Sequence, residues 1–244
     1  MKEEPLISLE HVSMHFFNQD GVLTVLDDIS VQLQQGEISA MLGPSGCGKS
    51  TILNILSGLL EPTGGAIERH GSIGYMFQRD HLLDWRTIYD NVLIGLEIQK
   101  QKNSEVHLQK VERLLRTYGL WEFRKRYPGE LSGGMRQRAA LLRTYLFSQD
   151  VALLDEPFSA LDTLTKSAIH KWYLAVMEKI KLSTFFITHD IDEAILLSDR
   201  VYLLSGQPGQ IKAEIPITEP KPRPADFNLT PEFLAYKKRI LELL

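Results

Sequence analysis

The chain has 244 residues, 43% of them hydrophobic, enough to bury a sizeable core as one large α/β domain or two smaller ones. Its 31 acidic residues against 27 basic ones leave a net charge of −4, which provides no global basic surface for nucleic acid. A single cysteine, Cys47, excludes an intrachain disulfide and fits a reducing compartment.

The amino terminus, MKEEPLISLEHVS, is acidic and has no apolar centre. No apolar run approaches the roughly 18 residues of a membrane span, so neither export nor self-insertion is expected. Within residues 6–40, LISLEHVSMHFF and TVLDDISVQLQ alternate apolar with polar residues, and Asn18, Asp20 and Gly21 mark a hairpin between them. An antiparallel β patch is therefore predicted at the start. EISAMLG is a compact β-type run that ends at a glycine-rich loop, and STILNILSGLL follows with helical spacing and a glycine stop.

From about Asp80 to Tyr127 the composition turns helical and charged. HLQKVERLLRTYGL places Leu108, Val111, Leu114 and Leu115 on one face, which predicts an inserted helical subdomain. VALLDEP and STFFITHD are short strands without alternation, as parallel strands covered on both faces would be, and each precedes a helical segment. The core is thus expected to be a wound parallel sheet. The end joins a proline-rich stretch to a short helix with Phe233, Tyr236, Ile240 and Leu244 at helical spacing, and this helix is expected to pack on the body.

Gly43, Pro44, Ser45, Gly46, Cys47, Gly48, Lys49 and Ser50 satisfy G-x-x-x-x-G-K-[ST], with Thr51 next in the helix. Backbone N–H groups of such a loop wrap phosphate oxygens, because glycine lets the backbone approach. Lys49 adds a positive charge, Ser50 offers a hydroxyl to Mg²⁺, and the helix N-terminus adds its partial charge. Cys47, beside Lys49 and that N-terminus, is expected to have a lowered thiol pKa and to be shielded from alkylation by ATP. The loop specifies phosphate binding and not a reaction, since kinases, GTPases and motors share it.

Leu131, Ser132, Gly133, Gly134, Met135, Arg136 and Gln137 precede a good helix, where Ser132 reads as an ordinary N-cap. Glycine costs about 1 kcal/mol against alanine inside a helix, so Gly133 and Gly134 make better sense if another molecule approaches the bare backbone. Asp155 and Glu156 close the strand VALLD at the carboxyl edge of the sheet, where such folds bind ligands.

LSGGMRQR, placed before VALLDEP, resembles the signature of ATP-binding cassette (ABC) proteins, and the resemblance extends in order from about Ile7 to Ile215. It implies a P-loop NTPase (RecA-like) core over 6–78 and 151–215, a helical subdomain with the signature over 79–150, and a tail over 216–244. It further implies that Ser132, Gly133 and Gly134 reach the nucleotide held by a second copy, in a head-to-tail dimer around two ATP molecules. By the same resemblance Asp155 holds Mg²⁺ through water, and Glu156 orients and polarises the attacking water. His189 contacts the γ-phosphate, Gln78 senses Mg²⁺ and water, and Ser159, Ala160, Leu161 and Asp162 cross to the partner site. Phe16 corresponds to the aromatic that stacks on adenine, with Phe17 adjacent to it.

The stretch from Asp80 to Thr87 is similar to a segment of importers grouped with nitrate, sulfonate and taurine uptake, which often reads LLPWRT; Asp84 replaces the proline here. Relatives of that group also serve thiamine-precursor pyrimidine and riboflavin uptake. The resemblance implies a peripheral subunit at the cytoplasmic face of the membrane, with a transmembrane permease and, indirectly, an extracytoplasmic solute-binding protein as partners. The groove from Gln78 to Asn91 should receive a helix of the permease. Three other readings are weaker on the residues. A soluble cassette acting on nucleic acid or ribosomes usually needs a second cassette or a coiled-coil insertion, a small-molecule kinase has no use for Ser132–Gly134, and a module without turnover has no use for Glu156.

Overall fold

The alternation in the first strands sorts onto a hairpin in the structure, a computed structural model that describes residues 4–19, 21–100, 105–148, 150–159, 166, 170, 173–174, 182–221, 223–224 and 226–244. β1 (Ile7–Asn18) and β2 (Gly21–Leu33) pair antiparallel from Ile7 opposite Leu33 to Asn18 opposite Gly21; Asp20, expected in the turn, lies outside the described residues. Ile7, Leu9, Val12 and Met14 are buried, and the skipped step between Leu9 and Val12 is a register shift where His11 adopts φ +52°. A bulge of this kind absorbs one residue and returns the apolar side chains to the same face. β4 (Gly64–Arg69), which the sequence does not advertise, joins β1 on its other side and completes a three-stranded sheet in the order β2-β1-β4.

The second sheet has six strands in the order β5-β6-β7-β3-β8-β9. β3 (Ile38–Leu42), β5 (Ile73–Met76), β6 (Val151–Asp155), β7 (Ser183–Thr188) and β8 (Arg200–Ser205) run parallel, and β9 (Gln210–Pro216) closes the edge antiparallel to β8. Every residue of β3, β6 and β7 is buried. The absence of alternation in VALLD follows from its place between two apolar layers: Leu153 packs with Leu9, Met41, Leu56 and Phe185 beneath the antiparallel patch, whereas Leu154 packs with Leu42, Leu142 and Phe186 beneath the helices.

α1 (Lys49–Ser57) leaves β3 and stops at Gly58, which adopts φ +78°. α2 (Ile88–Ile98), α3 (Glu105–Thr117) and α4 (Gly133–Phe147) form the helical segment. As the apolar stripe predicts, Val111, Leu114 and Leu115 of α3 are buried and Leu108 packs against them. α2 and α4 approach closely at Gly95, where a Cβ would stand 2.8 Å from the Phe147 Cα. Their apolar side chains are continuous with those of β6.

α5 (Ile191–Leu197) follows β7, and α6 (Pro231–Leu243) ends the chain. α6 packs on the body through Phe233 and Ile240, both buried, and through Tyr236, whose hydroxyl accepts from the Thr218 amide at 3.1 Å. Leu244 falls outside this buried face and is half exposed. Among the described residues, no helix is long and apolar enough to cross a membrane.

Candidate active site

Four loops at the carboxyl ends of adjacent parallel strands build the site, and strand register determines which side chains meet. β3 ends at Leu42 and passes through Gly43–Gly48 into α1. Two of the loop's glycines are also demanded from inside the fold. A Cβ on Gly43 would collide with the carbonyl oxygen of Leu204, and one on Gly48, at φ +99°, would stand 2.5 Å from the Leu26 side chain of the hairpin. Pro44, Ser45 and Gly46 are exposed, as is Ser50, while Thr51 is half-buried within α1. The buried Lys49 ammonium donates to the carbonyl oxygens of Gly43 at 2.8 Å and Pro44 at 2.7 Å, so it lies curled along the loop it would serve.

Asp155 closes β6 beside this loop. Burial pushes its carboxyl above the usual range; a hydrogen bond from Ser50 and the charge of Lys49 oppose that push, and Glu156 reinforces it. The structure thus brings together Ser50 and Asp155, two of the three residues expected to serve Mg²⁺; the third, Gln78, bonds Glu156 beside them. Among the described residues no group of three or more His, Cys, Asp or Glu could hold a metal. One hydroxyl and one carboxylate are hard oxygen donors, and so few of them suit a small cation that keeps several waters and shares phosphate oxygens.

Met76 of β5 pairs with Leu154 of β6, and Asp155 pairs with Ile187 of β7. Two residues beyond the end of β5 and one beyond the ends of β6 and β7, this register sets Gln78, Glu156 and His189 side by side. Gln78 Nε2 donates to Glu156 Oε2 at 3.1 Å, and His189 Nδ1 lies 3.4 Å from the same oxygen. Glu156 takes φ +46°, a sparsely populated conformation for a residue with a side chain, and its amide donates to the Ile187 carbonyl at 3.1 Å. That amide bond and the Ser159 hydroxyl donating to the Glu156 carbonyl at 3.0 Å fix the backbone from which the carboxylate projects.

Ser132 caps α4, accepting from the Met135 amide at 3.4 Å. The hydrogen bonds of Ser132 and Gly134 run to Met135, Arg136 and Arg138 of the same helix, and none of these reaches the phosphate loop or Glu156. A Cβ at Gly133 would meet nothing within 4 Å. Among the described residues no neighbour therefore requires glycine at that position. Phe16 and Phe17 are both exposed near the hairpin tip, opposite Leu23 and Val22. Asp162, with Ala160 and Leu161, lies outside the described residues.

Cys47 corrects its sequence reading. The thiol is 2% exposed and burial pushes it upward, outweighing the Lys49 charge and the backbone hydrogen bonds that would lower it. Its sulfur faces the Pro44 carbonyl at 3.0 Å, so the side chain points into the fold and leaves only its amide for a phosphate. Labelling with a maleimide at pH 7.5 is expected to be slow in the folded protein whether or not ATP is added, and complete in denaturant. Rapid labelling of the folded chain that nucleotide suppresses would restore the original expectation.

A buried polar cluster under His189 escapes notice in the sequence. Lys166 Nζ reaches Glu193 Oε1 at 2.6 Å and Asp190 Oδ2 at 3.0 Å, Thr188 donates to Glu193 Oε2 at 2.6 Å, and His170 Nε2 lies 3.4 Å from Glu193 Oε1. Burial acts to raise the Glu193 carboxyl, but hydrogen bonds from His170, Lys166 and Thr188 outweigh it and hold the group below its usual range. The only trace in the sequence is Asp190 three residues before Glu193, a helix-start pattern. Asp190 does cap α5, accepting from the Asp192 and Glu193 amides at 2.9 and 3.2 Å.

The segment 80–87 is held from α4 and α2. Arg136 pairs with Asp80 at 3.0 Å, Arg143 donates to the Asp80 and His81 carbonyls at 2.6 and 2.7 Å, and the fully buried Asn91 bonds the backbone of Leu83, Arg86 and Thr87. Beside it lies an apolar groove of about 500 Å³ whose walls include Leu59, Phe77, Leu83, Ile98 and Phe147.

The ABC transporter family model matches residues 26–159. This chain belongs to the ABC transporter family. The aliphatic sulfonates import ATP-binding protein SsuB of Bacillus cereus is 37% identical over 97% of this chain and 94% of its own. The formylaminopyrimidine import ATP-binding protein ThiZ of Halalkalibacterium halodurans is 42% identical over 86% and 85% respectively. Among solved structures, the dimeric post-hydrolysis state of the ATP-binding cassette MJ0796 bound to ADP and Pi superposes with a TM-score of 0.74 at 26% identity, over 87% of this chain and 99% of that one. This ABC transporter chain is accordingly an ATP-binding and ATP-hydrolysing subunit with the P-loop NTPase fold.

Proposed function

We propose that two copies of this chain close head to tail over two ATP molecules, and that closure and hydrolysis drive a small-solute importer through its permease. The observation that carries this reading is an asymmetry. One face of the chain gathers Lys49, Ser50, Asp155, Gln78, Glu156 and His189 with hydrogen bonds among them, while Ser132 and Gly133 present a helix N-terminus to open space. A helix start with bare amides suits an anion, and among the described residues nothing stands within 4 Å of a Cβ at Gly133 to supply one.

In this reading the amides of Gly43–Ser50, with Thr51, surround the phosphates, and the Lys49 ammonium exchanges its loop carbonyls for phosphate oxygens. Phe16 stacks on the adenine. Mg²⁺, held by Ser50 and through water by Asp155, would neutralise charge on the β- and γ-phosphates. Glu156 accepts a hydrogen bond from the attacking water and aligns it with the γ-phosphorus, while Gln78 and His189 hold the carboxylate's other contacts. Ser132, Gly133 and Gly134 of the partner copy cover the γ-phosphate, and Asp162 crosses to the partner's site. Little covalent chemistry is asked of the protein; positioning and charge supply the rate.

In this reading the apolar groove beside residues 80–87 seats a helix of the permease, and the subunit works at the cytoplasmic face of the membrane. Arg136 and Arg143 link that groove to α4, and hence to the signature. The named relatives act in sulfonate and formylaminopyrimidine import, which makes a small polar solute the expected cargo class. Dilution tests the paired site. With Mg²⁺ and saturating ATP, phosphate release per chain is expected to fall in proportion to concentration once the pair dissociates. A rate per chain independent of dilution in strictly monomeric protein would exclude the sandwich.

A further inference from the structure

His189 stands immediately before α5, and the tail grips that helix at both ends. The last carbonyls of a helix have no partner within it and carry partial negative charge. In α5 Ser198 meets the carbonyl of Ala194, and one buried side chain meets the next two. Arg223, 8% exposed, donates through one terminal nitrogen to the carbonyls of Ile195 at 2.7 Å and Leu196 at 2.8 Å, and through the other to Ser198 at 2.7 Å and Glu219 at 3.3 Å. Its guanidinium carbon lies 5.6 Å from the centre of the Phe227 ring, which covers it. Lys221 reaches Asp199 at 2.7 Å just beyond the helix, and Lys237 of α6 reaches Asp192 in its first turn at 2.6 Å.

A helix as short as Ile191–Leu197 spans about 10 Å and moves as a rod. At its far end the cluster of Lys166, Asp190, Glu193 and Thr188 locks the turn that carries His189. Displacement at the Arg223 end is therefore delivered to His189, 3.4 Å from Glu156. We propose that Arg223 is a positioning residue for ATP hydrolysis: by tying the tail to the last turn of α5, it sets where His189 stands relative to Glu156. This makes the segment after β9 part of the hydrolytic machinery, and it rests on the reading of His189 given above.

The test is a kinetic cycle on the full chain with Mg-ATP, comparing Arg223→Ala, Arg223→Lys, His189→Ala and the Arg223→Ala/His189→Ala pair. Misplacing a catalytic group by ~1 Å can cost ~100-fold, so Arg223→Ala is expected to lower kcat by roughly 10-fold with KM for ATP unchanged. Arg223→Lys keeps the charge and some donors and is expected to recover most of that loss. In the His189→Ala background, Arg223→Ala is expected to add little.

An unchanged kcat in Arg223→Ala, a KM that rises instead of kcat falling, or losses that multiply in the double variant would each overturn the proposal. Should Arg223→Ala fail to fold, Lys237→Met, which removes a half-exposed tie to the same helix, takes its place: a drop of about 2-fold or more in kcat at constant KM supports the brace, and no change overturns it. Full activity in His189→Ala would instead remove the reading beneath, and the proposal with it.

Discussion

Glu156→Gln is expected to lower steady-state phosphate release by about 10²–10³-fold, or roughly 3–4 kcal/mol in the barrier, while ATP still binds. The amide keeps the size and the backbone conformation at φ +46° but loses the negative oxygen to which Gln78 and His189 are both directed. A neutral amide cannot polarise water, so hydrolysis stops before the bond breaks and the closed pair persists. Size-exclusion chromatography with Mg-ATP is expected to show the variant as a dimer under conditions where the parent elutes as a mixture or a monomer. Turnover within about 2-fold of the parent would take from Glu156 the role assigned to it.

Gly133→Asp separates the partner-facing role of the signature from its role in the fold. Among the described residues, and apart from its chain neighbours and its own helix backbone, no atom lies within 4 Å of the position a Cβ would take, and Ser132 already caps the helix. An acidic side chain in the first turn is favourable to a helix by about 0.3–1 kcal/mol, and glycine is a poor helix former, so thermal stability of the variant is expected to stay level or rise. Across a closed pair, however, the same carboxylate would face the γ-phosphate, and turnover is expected to fall by about 100-fold or more. A variant that loses activity because it loses stability would show that Gly133 serves its own fold; a variant that keeps both would show that nothing anionic approaches it.

The motifs were readable because phosphate chemistry restricts residue types over very short spans. A loop that must wrap an anion needs glycines and a lysine within eight positions, whatever the rest of the chain does, and Gly43–Ser50 carries them. The strands VALLD and STFFIT were legible for a different reason, since burial on both faces leaves a run without apolar–polar alternation. β4 and the polar cluster beneath His189 were not legible. Gly64–Arg69 has only Ala66 and Ile67 as apolar residues and owes its strand to pairing with β1. Lys166 meets Glu193 across 27 positions of sequence, a distance at which one charged residue offers no hint of its partner.

Cys47 marks the limit from the other side. Its neighbours in sequence, Lys49 and the start of α1, argue for a lowered thiol, and they do act in that direction. Desolvation wins because the sulfur is turned into the apolar layer beneath the antiparallel patch, and the direction of a side chain is decided by packing. The amino-acid sequence by itself determined the family, the phosphate loop, the signature and the order in which they occur, because each is local chemistry written in adjacent residues. Only the tertiary structure decided that Gln78, Glu156 and His189 share one carboxylate oxygen, that Arg223 reaches back to the helix beside them, and that the lone thiol is buried, because strand register and layer packing join positions that the chain holds far apart.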